Sequence, residues 1–246
     1  MALRGDREVT VVIHNVAAMK QWHDELGVFD LETTGVDVDA SRIVSAHVGV
    51  LDAAGDVVER LDWLVNPGVP IPEAATAVHG ITSERARAEG REAAGAVLEI
   101  VAALRTLLSR GIPIVAYNAP YDFSLLRREA VRHGVEPLVD PSPIIDPFVI
   151  DKAVDKYRRG KRTLTLTAGH YGVALLDAHD AGADAVAAGR VAQAIARTYP
   201  AELGIDVAEL HRRQVRWCQE QAEDFQAYIR RVKDPLFTTT GTWPCR

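Results

Sequence analysis

The sequence predicts an α/β fold with a helical extension at its C-terminal end. Strand-like segments at 27–32, 42–52 and 56–65 follow one another, and Ala54–Gly55 marks a tight turn, as in a β-meander. The apolar run IPIVAY at 112–117 leads directly into a helical pattern, which is the strand-to-helix unit of a parallel sheet. The two patterns together are typical of an α/β protein.

The remaining elements follow from helical periodicity and from breaks at Gly and Pro. Their predicted positions are a helix over about 92–109, a strand near 143–146, a helix to about 157, and helices at 163–171 and 181–198. Pro200 separates them from a long helical stretch at about 203–232. We therefore expect one domain over 1–200, with its core at about 26–198, and a helical extension with a tail over 201–246.

Composition narrows the class of protein. The chain has 246 residues and a formal net charge of -6, which argues against a broad basic face that coats nucleic acid. Its two cysteines match no metal-ligand spacing, which favours a reducing cytoplasm. The polar N-terminus, residues 1–10, does not resemble a secretion signal, and no apolar run approaches membrane-spanning length. We expect a cytoplasmic protein without a membrane segment. The sequence does not indicate an oligomeric state.

The first strand carries two acids where a buried strand favours Val or Ile. Successive side chains of a strand alternate between its faces, so Asp30 and Glu32 lie on the same face. Adjacent carboxylates repel and raise each other's pKa unless a cation lies between them. Hard oxygen ligands suit Mg²⁺ or Mn²⁺. The pair alone is a weak metal motif, because acids at strand ends also face solvent.

Two further segments offer polar groups that reach such a site. In the segment 116–130, Asn118 is a candidate N-cap and Asp122 lies in the first turn of the helix, where it equally complements the helix dipole. In the segment 175–196, Asp180 is a candidate N-cap and Asp184 opens the helix. His179 precedes that helix and reaches the position of Asp184 only from the loop. A loop histidine is also often exposed and without a role.

The chain order of these groups resembles the DnaQ-like, or DEDDh, 3′-to-5′ exonuclease family, which includes proofreading subunits of bacterial DNA polymerase III. The resemblance covers about 26–198. It rests on the motifs FDLETTG at 29–35, VHGIT at 78–82, YNAPYDFSLL at 117–126 and AHDAGADA at 178–185. One departure is Tyr117, where many relatives carry a histidine. Asp180 stands where the tyrosine class of these enzymes carries its tyrosine, which favours the histidine class.

The resemblance implies a ribonuclease H-like fold with a mixed five-stranded sheet, and an enzyme that releases nucleoside monophosphates from DNA 3′ ends. His179 is the implied general base, and two Mg²⁺ or Mn²⁺ ions are the implied cofactors. The implied metal ligands are Asp30, Glu32, Asp122 and Asp184. The implied substrate-binding residues are Thr33, Thr34, Gly35, His79, Ile81, Asn118 and Tyr121. A basic loop at 158–162 is expected to steer the strand, and Asp146 is expected to be structural.

Other functions remain open at this stage. The same site suits RNA, because metal ions that bind phosphates do not themselves read the sugar. A non-catalytic module that binds nucleic acid or a DNA polymerase is a second alternative. Its docking surface would be the last helix, which carries Trp217, Phe225 and Tyr228. In a third alternative the acids are structural and bind no metal. The expected partner is the 3′ end of single-stranded or frayed DNA, and a DNA polymerase is a further candidate.

Overall fold

The computed structural model describes residues 20–175 and 178–246. The polar N-terminal segment discussed above, residues 1–10, lies outside this range, as do the other residues up to 19 of the predicted 1–200 domain. Within the described ranges, no helix combines the length and the apolar character that crossing a membrane requires.

A mixed six-stranded sheet forms the centre of the molecule, in the order β4-β3-β2-β1-β5-β6. The strands are β1 (Leu26–Thr33), β2 (Ile43–Leu51), β3 (Val57–Asn66), β4 (Arg91–Glu92), β5 (Ile114–Val115) and β6 (Ile144–Ile145). The meander β1–β2–β3 is antiparallel, whereas β5 runs parallel to β1 and to β6. The predicted ribonuclease H-like α/β architecture is confirmed.

The predicted number of five strands was wrong, because β4 adds a sixth. This strand has only two residues and pairs in parallel with Val65–Asn66. It follows Gly90, where a Cβ atom would lie 2.6 Å from the backbone nitrogen of Asn66 and 2.3 Å from the carbonyl oxygen of Ala86. Glycine therefore permits this close approach. The two residues of β4, Arg91 and Glu92, are exposed and polar, so the sequence shows no apolar alternation that would predict a strand here.

Helices cover both faces of the sheet. They are α1 (Glu73–His79), α2 (Ser83–Glu89), α3 (Ala93–Ser109), α4 (Pro120–Arg132), α5 (Pro147–Val154), α6 (Leu164–His170), α7 (Ala181–Thr198), α8 (Pro200–Leu203) and α9 (Val207–Val232). The two short helices α1 and α2 fill a segment for which no helix was predicted. Asp180 caps α7 as predicted, since its side chain accepts from the backbone N–H of Ala183. Asn118 is not the N-cap of α4; it adopts φ 63° one residue before the capping position.

The two faces of the sheet have separate apolar cores. Phe29 and Leu31 point towards α3 and α4, while Val28 and Leu51 pack against α7. A Cβ atom on Gly189 of α7 would lie 2.5 Å from side-chain carbons of Val28 and Leu51, so this helix lies directly on β1 and β2. The close contact brings the N-terminus of α7 to the polar end of β1.

The extension beyond residue 200 is packed onto the rest of the molecule. The Gln214 amide of α9 donates to the carbonyl oxygen of Ile144 at 3.0 Å and accepts from the N–H of Asp146 at 2.6 Å. The tail then returns to the core, where Trp243 is only 6% exposed. The backbone N–H of Arg246 donates to Oγ of Ser124 on α4 at 2.8 Å. The extension therefore forms part of the wall beside β6 and α4.

Candidate metal centre and active site

The two acids of β1 lie in the C-terminal half of the strand, on the face that packs against α7. Asp30 is paired across the antiparallel ladder with His47, and Glu32 with Ser45. Both acids share a face with Val28, as the alternation of the strand requires. The ladder shifts register between Glu32 and Thr33, so regular pairing ends immediately after the second acid. This arrangement fixes two carboxylates at the edge of the apolar core that lies between the sheet and α7.

Asp122 enters the site from the first turn of α4. Pro120 begins this helix directly after β5, which is the neighbour of β1 in the sheet. The Asp122 side chain is only 3% exposed. Backbone N–H groups of Asp122 itself and of Leu31 favour its charged form, but burial outweighs them and raises its pKa well above the ordinary value. Asp122 is therefore next to β1 and is costly to ionise.

His179 and Asp184 are brought together at the start of α7. The backbone N–H of His179 donates to Oδ2 of Asp184 at 3.2 Å, and His179 has φ 72°, outside the helix. One ligand atom each from Glu32, His179 and Asp184 lies within 4.8 Å of the others. The prediction that the histidine reaches Asp184 from the loop is therefore confirmed. Its side chain is exposed, whereas the two acids are partly buried.

The electrostatics of the site disfavour four ionised carboxylates. Burial, followed by repulsion from Asp122, Glu32 and Asp184, raises the pKa of Asp30 well above its ordinary range. Burial and then repulsion from Asp184 raise the pKa of Glu32 to about 8. Burial also raises the pKa of Asp184. Burial is the largest cause of each shift, and repulsion between the acids adds to it at Asp30 and Glu32.

The chemistry of this donor set fits divalent cations. Oδ1 of Asp184 is buried and has no hydrogen-bond partner among the described residues. A cation would supply that partner and would also remove the repulsion between the carboxylates. Carboxylate oxygens are the ligands that hard divalent ions prefer. The residues present therefore fit a site for divalent metal ions.

A cavity of about 320 Å³ opens beside these acids. Its lining includes Glu32, His79, Ile81, His179, Arg60 and Arg85. The backbone N–H of Ile81 donates to Nδ1 of His79 at 3.1 Å, which fixes the imidazole ring in the cavity wall. Two of the residues predicted to bind substrate, His79 and Ile81, thus line the same cavity as the acid Glu32.

The other predicted substrate-binding residues occupy two different places. Thr33 and Tyr121 hydrogen-bond to each other at 2.5 Å and both contact the carbonyl oxygen of Gly35, at 2.8 and 2.5 Å. Oγ1 of Thr34 accepts from the N–H of Arg42 at 2.9 Å. These side chains hold the turn after β1. Asn118 is exposed and lies in a separate groove, which is described below.

Asp146 supports the segment that carries Asp122. Its buried carboxylate accepts from the backbone N–H groups of Asn118 at 2.9 Å and Ala119 at 3.0 Å. It also accepts from the N–H of Phe148 at 3.0 Å and from the indole N–H of Trp243 at 3.2 Å. Burial nevertheless raises the pKa of Asp146 to about 6. The four protein donors to its carboxylate support the predicted structural role.

Tyr117 and the basic loop belong to a neighbouring buried network. The Tyr117 hydroxyl lies 2.8 Å from both the carbonyl oxygen of Arg162 and Oγ1 of Thr167. Arg158 and Arg162 both bind the carboxylate of Asp151, which is fully buried. Two of the four cations of the 158–162 loop are thus directed inward. Only the exposed ones, Arg159 and Lys161, are free to face a nucleic-acid strand.

Sequence reasoning missed a polar row across the sheet. Asp30, His47 and Asp62 are successive cross-strand neighbours on β1, β2 and β3. Nδ1 of His47 lies 2.7 Å from Oδ1 of Asp62, and Nε of Arg60 donates to Oδ2 of Asp62 at 2.6 Å. These residues have no motif spacing along the chain. Their common face becomes visible only when the register of the three strands is known.

The sequence is similar to that of known exonucleases. The family model described as Exonuclease (RNase_T) matches residues 28–192. A DNA polymerase III subunit epsilon-like protein of Rhodobacter capsulatus is 36% identical over 136 residues, which cover 52% of this chain and 17% of that protein. Exonuclease CP81 of Escherichia phage 186 is 36% identical over 120 residues, which cover 48% of this chain and 55% of that protein. The chain thus spans well under two thirds of these relatives.

The fold is also similar to that of solved exonucleases. E. coli exonuclease I in complex with a dA16 oligonucleotide superimposes with a TM-score of 0.63 at 20% sequence identity. The match covers 74% of this chain and 42% of exonuclease I. At this identity the likeness concerns the fold. With the family model matching most of the chain and the acids assembled as its motifs imply, the protein belongs to the DnaQ-like exonuclease family.

Proposed function

We propose that this protein is a metal-dependent 3′-to-5′ exonuclease that releases nucleoside monophosphates from the 3′ ends of single-stranded or frayed DNA. The observation that carries the proposal is the assembly of Asp30, Glu32, Asp122 and Asp184 with His179 from three separate segments. A structural role for these acids leaves their mutual repulsion and the unpartnered oxygen of Asp184 uncompensated.

Each residue has a distinct role in the proposed reaction. The four carboxylates would hold two Mg²⁺ or Mn²⁺ ions, which would supply the Lewis-acid chemistry for activating the attacking water and for stabilising the leaving 3′ oxygen. His179 accepts the proton of that water as general base, since an imidazole exchanges protons near neutral pH. Its exposed position on a loop, with the backbone fixed by Asp184, supports this role over that of a metal ligand.

The cavity beside Glu32 is the proposed seat of the terminal nucleotide. His79 and Ile81 face it from α1 and from the turn before α2. The turn formed by Thr33, Thr34 and Gly35, braced by Tyr121, closes the end of β1 next to it. We infer that these residues bind the sugar and base, while Asn118 contacts the strand that leaves the site.

The proposed substrate is DNA. Relatives are named as DNA polymerase III proteins, and the similar exonuclease I was crystallised with deoxyoligonucleotides. These names also support a DNA polymerase as a partner. A cytoplasmic location agrees with the two free thiols, Cys218 and Cys245. RNA remains an outcome of the test, because metal ions held by the acids would bind phosphates and do not themselves read the sugar.

The decisive experiment follows digestion of matched DNA and RNA oligonucleotides, labelled at the 5′ end, with Mg²⁺ and with EDTA. We expect a ladder that shortens from the 3′ end of DNA, no reaction in EDTA, and a rate loss of at least about a thousandfold for Asp30→Asn. Asp56→Asn is the matched control, since Asp56 is exposed in the β2–β3 turn. Wild-type turnover by Asp30→Asn would disprove the assignment, and faster RNA digestion would change the substrate.

The division into a domain over 1–200 and an extension over 201–246 remains a prediction. The contacts of Gln214 and Trp243 with Asp146 argue that the extension supports the site rather than forming an independent docking module. Phe225 and Tyr228 are each 51% exposed, whereas Trp217 is half-buried against both apolar cores. A test of polymerase docking should therefore substitute Tyr228, because deleting 203–246 also removes the Trp243 contact.

A further inference from the structure

A groove lies between α5, α9 and the C-terminal tail, with a volume of about 140 Å³. Its lining includes Asn118, Phe148, Lys152, Phe225, Thr239 and Arg246. Asn118 and Pro120 in this lining lie just before Asp122 in the chain, and Pro120 begins the helix α4 that carries this acid of the candidate metal centre. We call this feature the α5–α9 groove.

The walls of the α5–α9 groove are fixed to each other. The side-chain amide of Gln221 on α9 donates to the carbonyl oxygen of Val149 on α5 at 3.0 Å. The backbone N–H of Thr239 in the tail donates to Oε1 of Gln226 on α9 at 3.1 Å. A Cβ atom on Gly241 would lie 2.5 Å from Cα of Gln219, so the tail runs directly along the helix. The groove is therefore preformed.

Lys152 is a cation of this groove that the buried carboxylate of Asp146 attracts but does not pair with. Its side chain is partly buried, and among the described residues it makes neither an ion pair nor a hydrogen bond. Its one specific contact is with the Phe148 ring, whose centroid lies 4.7 Å from Nζ. Burial lowers the pKa of Lys152, as expected for an ammonium that loses water. By contrast, Lys156 is exposed and pairs with Asp224 at 3.6 Å.

The remaining lining suits a single strand of nucleic acid. The ring of Phe225 is 51% exposed and is held edge-on by Phe237, with 5.6 Å between the centroids. Exposed aromatic faces stack bases, while nearby cations and hydroxyl groups bind the phosphates. Thr239 and Arg246 supply such groups on the tail side. The combination of an unpaired cation and an open ring next to Asn118 matches an anionic, base-bearing strand.

We propose that the α5–α9 groove binds the DNA strand upstream of its 3′-terminal nucleotide, with Lys152 at a phosphate and Phe225 against a base. The proposal rests on the exonuclease function proposed above and adds a second binding site to it. The family model ends at residue 192, so α9 and the tail lie outside it. The extension would then lengthen the strand contact beyond the nucleotide that is removed.

The test measures binding of a fluorescent oligothymidylate of about twelve nucleotides to metal-free protein, by anisotropy at several salt concentrations. One lost phosphate contact lowers the salt slope of log K for a single strand by about 0.7. We expect this change for Lys152→Gln, with several-fold weaker binding, and the wild-type slope for Lys152→Arg. For Phe225→Leu we expect about tenfold weaker binding at an unchanged slope. Lys156→Gln is the control and should match wild type in both measurements.

A second measurement separates this proposal from the proposed function. The same variants are assayed on the oligonucleotide and on thymidine 5′-monophosphate p-nitrophenyl ester, which has no upstream strand. The Lys152→Gln loss in kcat/KM should be larger on the oligonucleotide, by about the factor lost in binding. Equal losses on both substrates, or an unchanged salt slope, would overturn the groove proposal. If wild type hydrolyses neither substrate with Mg²⁺, the proposed function itself fails.

Discussion

The stability of the metal-free protein should fall as the pH rises, because the acids of the site are buried together. Glu32 has a pKa of about 8 in the folded protein, against its ordinary value of 4.5. Between these two values the folded state keeps a proton that the unfolded chain has released. Since the folded state binds more protons there, the free energy of unfolding decreases with rising pH. The contribution is fully present below about pH 4.5 and is lost as the pH rises through 8.

The size of the effect follows from the same two values. Between about pH 5.5 and pH 8, the proton linkage of Glu32 alone amounts to at most about 3 kcal/mol. Because the side chain is partly exposed, solvent screening reduces this to about 2 kcal/mol. For a chain of this length, such a change corresponds to roughly 4–8 °C in Tm.

The assay is urea unfolding in EDTA at the two pH values, for wild type and Glu32→Gln. The substitution should remove about 2 kcal/mol of the pH-dependent loss. Glu73→Gln, at the exposed start of α1, is the matched control and should keep the wild-type dependence. In a parallel series without EDTA, Mg²⁺ or Mn²⁺ should stabilise wild type more at the higher pH, because the metal binds the ionised form of the same carboxylates. An identical pH dependence in wild type and Glu32→Gln would refute the reasoning.

Three further results are expected. His179→Ala should lower kcat at least about a hundredfold while calorimetry still detects Mn²⁺ binding, and abolished binding would make His179 a ligand. Trp243→Phe removes the indole donor to Asp146 and should weaken Mn²⁺ binding and lower stability by about 1–3 kcal/mol. Trp22→Phe is the control, because it loses a hydrogen bond to the backbone carbonyl of Leu203 and should lower stability without changing Mn²⁺ binding. Equal Mn²⁺ affinities of the two variants would contradict the link between Trp243 and the metal site. Gly189→Ala places a Cβ 2.5 Å from the strand side chains and should lower the unfolding free energy by about 1–3 kcal/mol in urea; a neutral result would show that α7 shifts readily.

The extension illustrates how tertiary structure changes the design of an experiment. Its aromatic residues predicted a docking surface, and a truncation at 203 would have been the natural test. In the fold, Trp243 and Gln214 both contact Asp146, which binds the segment before Asp122. Truncation would therefore disturb the candidate metal centre and would report on the proposed docking and the proposed catalysis together.

Local patterns determined most of the secondary structure, whereas the set of four acids came from the resemblance of the motifs to the exonuclease family. The predicted strands 27–32, 42–52 and 56–65 agree with β1, β2 and β3 to within about two residues at each end, as is usual for element boundaries. The helix at 181–198 was predicted with its observed ends, because its Asp180 cap and its apolar period are local features. The same locality placed Asp30 and Glu32 on one face.

Only the tertiary structure decided how these local pieces meet. The two-residue β4, the row from Asp30 through His47 to Asp62, and the groove beside Lys152 all join segments that are distant in sequence. Short elements and single polar residues have no periodicity, so their neighbours are set by strand register and by helix packing. Asp30 and Glu32 could be placed on one face from the chain alone because a strand alternates its faces. Their burial and raised pKa values, and the contact of Trp243 with Asp146, arise from packing in three dimensions.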